Sequence, residues 1–408
     1  MRANSYMQTK NGRRSEKLGN RQKVRMVSSA SQMALFCVVG MGTASLAQKA
    51  TPTVETTPLM QQTFEIDAGG WVGFGTNGKA SITHETANVK NGKSALQLNY
   101  SVARGEINAL ILPIMDAGLT KMKSMRFWVK TDYTSPVVVV LQEKDGGRYN
   151  SIFTSPGGRW QQVELASSDF VLGDGKDDPK DPDGKLDLDK VDSVAIADLS
   201  QLYAQSDDPN VATIFDIRKG AHVLQIDDFS AGTDTLAEDV RIEKDAKKDD
   251  LLLSAWTRPQ TNWIAFGTVE TSRVTGKPLT GTSLKADYKQ SPSKPIGLIR
   301  NVPLGKLAGR ALFNFTVASA KPATLIIQLE ERSGGKYNLV MEVPGDKEVR
   351  EISRAFTDFT QAEDSHDDNG KLDLDQVVKI MIIDATGFST KVEQDNTLWI
   401  NEIRAAAK

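Results

Sequence analysis

Arg126, Trp128, Gln142 and Asn150 are of the types that together could hold a sugar ring. A pyranose offers an apolar C–H face and a rim of hydroxyls. It needs a flat aromatic to stack on, with amide or guanidinium groups reaching the rim. The second half of the chain answers with Asn314, Gln328, Glu330 and Asn338, but Thr316 stands where Trp128 stands in the first. Two surfaces of different affinity or specificity are therefore expected. The other reading of Trp128 is a ring packed beneath the neighbouring insertion, since tryptophan is usually largely buried.

A second constellation is acidic. Asp177, Asp178, Asp181, Asp183, Asp187 and Asp189 are matched by Asp364, Asp367, Asp368, Asn369, Asp373 and Asp375. With the glycine counted as sixth position of a calcium loop, Asp183 and Asn369 are fifth, and Asp181 and Asp367 third. The first position is Pro179 or Ser365, and the twelfth is Lys190 or Gln376 in place of a bidentate glutamate. Half a motif leaves two readings, a bound calcium or a solvated turn whose Leu186, Leu188 and Val191 dock on a core. Catalytic patterns are sparse. His84, His222 and His366 share no metal-ligand spacing, there is no Gly-x-Ser-x-Gly elbow or phosphate loop, and the repeated carboxylates sit in turns.

The elements that must position these groups are strands. Leu96-Gln-Leu98-Asn-Tyr100, Met125-Arg-Phe127-Trp-Val129 and Tyr337-Asn-Leu339-Val-Met341 alternate apolar and polar residues between turn-forming clusters. Leu141-Gln-Glu-Lys-Asp-Gly-Gly-Arg-Tyr-Asn150 returns as Leu329-Glu-Glu-Arg-Ser-Gly-Gly-Lys-Tyr-Asn338. Gly184-Lys-Leu-Asp-Leu-Asp189 returns as Gly370-Lys-Leu-Asp-Leu-Asp375. An offset of 188 aligns Tyr100 with Tyr288 and Phe127 with Phe315 without a gap. The chain is thus read as all-β, two tandem β-sandwiches with a hairpin at Asp145-Gly-Gly147 and at Ser333-Gly-Gly335. Parity conserved between the copies puts Met125, Phe127, Val129, Val137, Val139 and Leu141 in the core. Arg126, Trp128, Gln142 and Asn150 then fall together on one outer face.

Before the repeats, eight basic residues precede an apolar run, Met33 to Ala47, that ends in Ser45-Leu46-Ala47. This reads as a cleaved export signal, 1–47, with a run shorter than the ~18 residues of a membrane span. The expectation is a secreted or periplasmic protein with no membrane span in the mature chain. An uncleaved anchor is the other reading. Removing the eight basic residues and Glu16 takes the formal charge from −2 to −9 and removes the single cysteine. An acidic chain without a basic stripe argues against nucleic acid, and disulfides are excluded. The remainder divides into a flexible lead 48–62, a first sandwich 63–232, a charged linker 233–249 that a helix could occupy, and a second sandwich 250–408. Residues 199–221 are an insertion unique to the first copy.

The series Gly92-Lys-Ser-Ala-Leu96, Phe127-Trp-Val-Lys130, Asp145-Gly-Gly-Arg-Tyr149, Trp160-Gln-Gln-Val163, Asp183-Gly-Lys-Leu-Asp187 and Leu224-Gln-Ile-Asp-Asp-Phe229 resembles galactose-binding-like jelly-roll domains. It is most similar to family-eleven carbohydrate-binding modules and complex I intermediate-associated domains, over nearly the whole mature chain. The resemblance implies a structural calcium between first and last strands, with Glu65, Asp67, Asp227 and Asp228 as ligands. The second copy departs: Glu348 replaces Trp160, and only Asn401 and Glu402 remain of the acidic set.

A duplicated module without a catalytic set fits binding better than chemistry, since two linked weak sites gain effective concentration. The leading expectation is a non-catalytic protein that binds a polysaccharide or glycan. The alternatives are a structural or assembly protein that meets protein partners through the insertion, and a polysaccharide-active enzyme.

Overall fold

The computed structural model describes residues 58–173, 181–206, 217–246 and 249–407. The expected signal segment, most of the lead, Asp177 and Asp178, and part of the insertion lie outside these residues.

The first domain contains β1 (Met60–Gln62), β2 (Val72–Phe74), β3 (Lys79–Thr83), β4 (Ala95–Val102), β5 (Ala109–Pro113), β6 (Ser124–Thr131), β7 (Ser135–Glu143), β8 (Arg148–Ser155), β9 (Gln161–Ala166), β10 (Val171–Leu172), β11 (Val191–Asp198) and β12 (Gly220–Gly232). One sheet has the order β3-β4-β12-β6-β9, with β1 also on β12. The other has the order β10-β8-β7-β11-β5-β2. Between them lies a core of Leu96, Leu98, Phe127, Val129, Val139, Leu141, Phe153, Val194 and Ile226, the parity expected from the repeats. The pairing of β1 with Ala231–Phe229 brings the end of the presumed lead into the sheet, because ladder hydrogen bonds do not require apolar side chains.

The second domain repeats the plan with β13 (Asp250–Ser254), β14 (Ile264–Phe266), β15 (Val269–Thr275), β16 (Thr282–Gln290), β17 (Ile296–Asn301), β18 (Leu312–Ser319), β19 (Ala323–Glu331), β20 (Lys336–Val343), β21 (Arg350–Ala355), β22 (Thr360–Gln361), β23 (Val377–Asp384) and β24 (Gln394–Ala406). Its sheets run β15-β16-β24-β18-β21, with β13 on β24, and β14-β17-β23-β19-β20-β22. The chain therefore folds as two β-sandwiches, and β7–β8 and β19–β20 are the expected hairpins. Gly146 and Gly334, at φ 125° and 95°, supply turn conformations that a side chain would strain.

In each domain we call the sheet facing the other domain proximal and the opposite one distal. The proximal sheets are those containing β7 and β19. Their outward residues Val138, Val140, Ile152 and Ala197 meet Ile264, Phe266, Ile299, Ile326, Met381 and Ile383 in one apolar cluster that also takes Leu199 and Tyr203 of the insertion. These strands are apolar on both faces, as the unbroken runs Val137–Leu141 and Ile380–Ile383 require. Helix α1 (Ser200–Tyr203) opens the insertion, and α2 (Ala237–Ala246) lies in the linker. Glu238 and Asp239 at the start of α2 and Lys244 in its last turn complement the helix dipole.

A buried charge cluster fixes the junction. Arg258, only 6% exposed, pairs with Asp169 of the first domain and with Glu238 (3.4 Å) and Asp239 (2.8 Å) of α2. Gln260 completes the edge of β9: it accepts from Glu164 N at 3.0 Å and donates back to Glu164 O. Removing one member of such a cluster typically costs about 3–5 kcal/mol, because the others are left buried and uncompensated.

Candidate functional site

The expected grouping of Arg126, Trp128, Gln142 and Asn150 on one face is not what the fold builds. β6 and β7 are consecutive but belong to opposite sheets, because Asp132-Tyr133-Thr134 carries the chain across the sandwich instead of closing a hairpin. Arg126 and Trp128 face outward on the distal sheet. Gln142 and Asn150 lie on the proximal sheet, against the second domain. The second copy divides likewise: Asn314 is on the distal sheet, while Gln328, Glu330 and Asn338 are proximal.

The proximal residues are spent internally. Gln142 Nε2 donates to the carbonyls of Glu143, Gly146 and Gly147 and so ties the hairpin turn, while its Oε1 accepts from Arg148. Gln328 is 1% exposed and donates to Asn338 Oδ1 at 2.8 Å. Glu330, also buried, holds Lys379 Nζ at 2.7 Å. Asn150 lines a small pocket of about 30 Å³ with Arg300, Asn301 and Asn262.

The distal face of the first domain is polar and carries partly exposed residues around the buried Gln225 and Asp227, and cross-strand register defines its rows. Ser81, Gln97, Gln225 and Lys130 form one row, Asp227, Trp128 and Gln162 the next, and Ser230, Arg126 and Glu164 the third. Gln225 Nε2 donates to Gln97 Oε1 at 3.1 Å, and Gln97 to Asn99 Oδ1 at 3.2 Å, forming a short amide ladder. Trp128 is half-buried, with Lys90 Nζ 4.1 Å above its ring centroid. An exposed contact of this kind is worth roughly 0.5–1 kcal/mol, little enough for a stacking ligand to replace. Arg126 is committed to Asp234 and Glu164, and the hydrogen bond to Asp234 holds its guanidinium above the usual range. It therefore anchors β6 to the start of the linker. Gln97, Gln162 and Gln225 escaped the sequence reading, although their alternation with Leu96, Leu98, Val163 and Ile226 marks them as outward.

Three of the four carboxylates expected to hold calcium, Glu65, Asp227 and Asp228, converge on the loop after β3. Asp227 Oδ2 accepts from the amides of Lys90 and Asn91, both at 3.0 Å, and Glu65 accepts from Lys93 N and Ser94 N. Asp228 accepts from Asn91 Nδ2, and Asp67 turns back on Gly69 N. Burial raises the Asp227 carboxyl above its ordinary range. Among the described residues no three His, Cys, Asp or Glu side chains are grouped to hold a metal ion. In the aspartate-rich turns, Tyr149 and Tyr337 donate to Asp181 and Asp367, and Glu143 and Glu331 accept from Asp187 N and Asp373 N. Leu186, Leu188, Leu372 and Leu374 pack on the two cores, as a docked turn requires.

His222 lies between two oxygens, Asp132 Oδ2 at 2.9 Å and Arg218 O at 2.8 Å, with the Tyr133 ring tilted against it at a centroid distance of 4.4 Å.

No family model matches the chain, and no curated protein matches it. Solved structures are similar to it. A family 11 carbohydrate-binding module from Clostridium thermocellum, in complex with a β-1,3-1,4-mixed-linked tetrasaccharide, is 19% identical over 38% of this chain and 95% of that one, with a TM-score of 0.32. The family 11 module of the same organism's cellulosomal cellulase Lic26A-Cel5E is also 19% identical, over 39% and 95%, at 0.33. The CBM22-1–CBM22-2 tandem domain of Paenibacillus barcinonensis Xyn10C is 13% identical over 88% of this chain and 99% of that one, at 0.30. The two-sandwich architecture rests on the sheet order above. Among the described residues no helix is long and apolar enough to cross a membrane.

Proposed function

We propose that this is an exported, non-catalytic protein that binds a polysaccharide or glycan on the open distal face of its first domain. The observation that carries the reading is which faces remain open. The two proximal faces are packed on each other, and of the distal pair the first domain's presents a half-buried tryptophan among Gln97, Gln162 and Lys130. On the other distal face Trp399 is covered by a cluster with Leu279 and Ala318, and the position matching Trp128 is Thr316. A flat ring beside amides and an ammonium can stack on a sugar and bond its rim. Binding is therefore expected to be carried by one domain, with the second as its rigid support.

The test is retention of the full chain on a panel of soluble and insoluble polysaccharides, with calcium and with chelator, scoring released sugar as well. Retention without release is expected, and Trp128→Ala should weaken it about tenfold, or 1.4 kcal/mol, while the melt is unchanged. Undiminished binding by Trp128→Ala removes this face from the reading. The calcium arm addresses Glu65, Asp67, Asp227 and Asp228 directly. Loss of a protein partner on deleting residues 199–221, with no glycan retained, would favour an assembly role.

A further inference from the structure

The junction between the domains holds an open cleft of about 340 Å³, within the range of ligand sites and at the kind of place where they form. Its described lining includes Lys185, Lys306, Arg332 and Lys379 and contains no aspartate or glutamate. In a chain with 52 acidic residues against 50 basic ones, four cations without a carboxylate are a segregated set.

Their pairing sharpens the point. Lys379 is neutralised by Glu330 at 2.7 Å. The side chains of Lys185, Lys306 and Arg332 make no ion pair or hydrogen bond among the described residues. Lys306 is the costly one: it is half-buried, and desolvation, followed by the nearby Arg300, lowers its ammonium below the ordinary lysine range. Asp239 and Asp169 offset this only in part, since both are paired with Arg258, and a half-buried ammonium that is under-compensated is unfavourable unless something brings the missing charge. The rest of the wall is largely apolar, with Tyr149 and Phe170 within it; the Tyr149 ring is fixed by its bond to Asp181. Cations beside an apolar wall suit a ligand that carries both negative charge and a C–H face.

We infer that this interdomain cleft is a second binding site, which takes an acidic saccharide by pairing uronate carboxylates with Lys306, Arg332 and Lys185. The site is separate from the Trp128 face and does not depend on it. It needs both domains: Lys185 comes from the first and Lys306 and Arg332 from the second, so only the docked arrangement assembles it.

The experiment is calorimetric titration of the full chain at low salt with a trigalacturonate and a trimannuronate, maltotriose as the neutral counterpart, and sodium sulfate as a bare anion. At least one uronate should bind, more weakly as salt rises, and Lys306→Met with Arg332→Ala should reduce its affinity tenfold or more. Trp128→Ala should leave it unchanged. Failure of both uronates, equal binding of maltotriose, or full binding by the double variant overturns the inference, and equal binding of sulfate overturns the saccharide assignment. A second measurement is independent of ligand: without saccharide, Lys306→Met should raise the melting temperature, because it removes an under-compensated charge. A lower melting temperature would mean that Lys306 has an internal counterion, and would overturn the inference.

Discussion

The hydroxyl of Tyr100 donates to Asp198 Oδ2 at 2.7 Å, joining the distal sheet at β4 to the last residue of β11 in the proximal sheet. The second domain repeats the bond, with Tyr288 donating to Asp384 Oδ2 at 2.6 Å from β16 to the last residue of β23. In both, the other carboxylate oxygen accepts a backbone amide two residues on, Ser200 N or Thr386 N, each at 2.8 Å. The duplicated module thus repeats this polar cross-tie in both cores, and its acceptor starts the turn that follows.

Removing that tie should be felt more than removing a similar bond at the surface. Tyr100→Phe and Tyr288→Phe each leave a buried carboxylate one donor short, which costs about 1–3 kcal/mol. Tyr149→Phe removes a bond of the same type to Asp181, which is partly exposed and can take water instead, so its cost should stay under about 1 kcal/mol. Urea unfolding of the three variants gives the comparison; a Tyr149→Phe loss equal to the other two would contradict it.

Asp198 also makes stability depend on pH. Burial raises its carboxyl above the ordinary range, partly offset by the bonds from Tyr133, Tyr100 and Ser200. Because the folded value lies above the unfolded one, the contribution is present in full below the unfolded carboxylate range. It is lost as pH rises through the raised folded value. Asp198→Asn keeps an acceptor but cannot ionise. Its unfolding free energy relative to wild type should therefore climb with pH across that window and level off above it. Burial and Asp198 hold both phenols well above their usual range, so they remain donors throughout. A difference that is flat with pH would show that Asp198 does not titrate in this way.

Much of this fold was legible because it is written twice. Positions apolar in both copies, such as Phe127 with Phe315 and Leu141 with Leu329, are core in both domains. What escaped was sheet membership. Alternation tells which side of a strand is buried, but not which sheet the strand joins, and β6 and β7 look like hairpin partners until the chain is seen to cross at Tyr133. The second miss was available in the residues. Val138, Val140 and Ile326 share a face with Gln142 and Gln328, and an outer face rich in β-branched residues is a face to be covered. Asp198 and Asp384 were hidden for another reason: an aspartate closing an apolar strand looks like an ordinary turn residue.

That covered face leads to the last prediction. Val138 and Met381 belong to the apolar cluster between the proximal sheets, from opposite domains. A carboxylate introduced there has no partner, and burying it costs several kcal/mol. Undocking the domains avoids that cost, because each keeps its own core. Val138→Asp and Met381→Asp should therefore each give a larger radius of gyration in solution scattering and split one thermal transition into two. Both should also abolish uronate binding, since the cleft needs both domains, yet spare the Trp128 face. A single transition at unchanged radius in both variants would mean that the proximal faces do not hold the domains together.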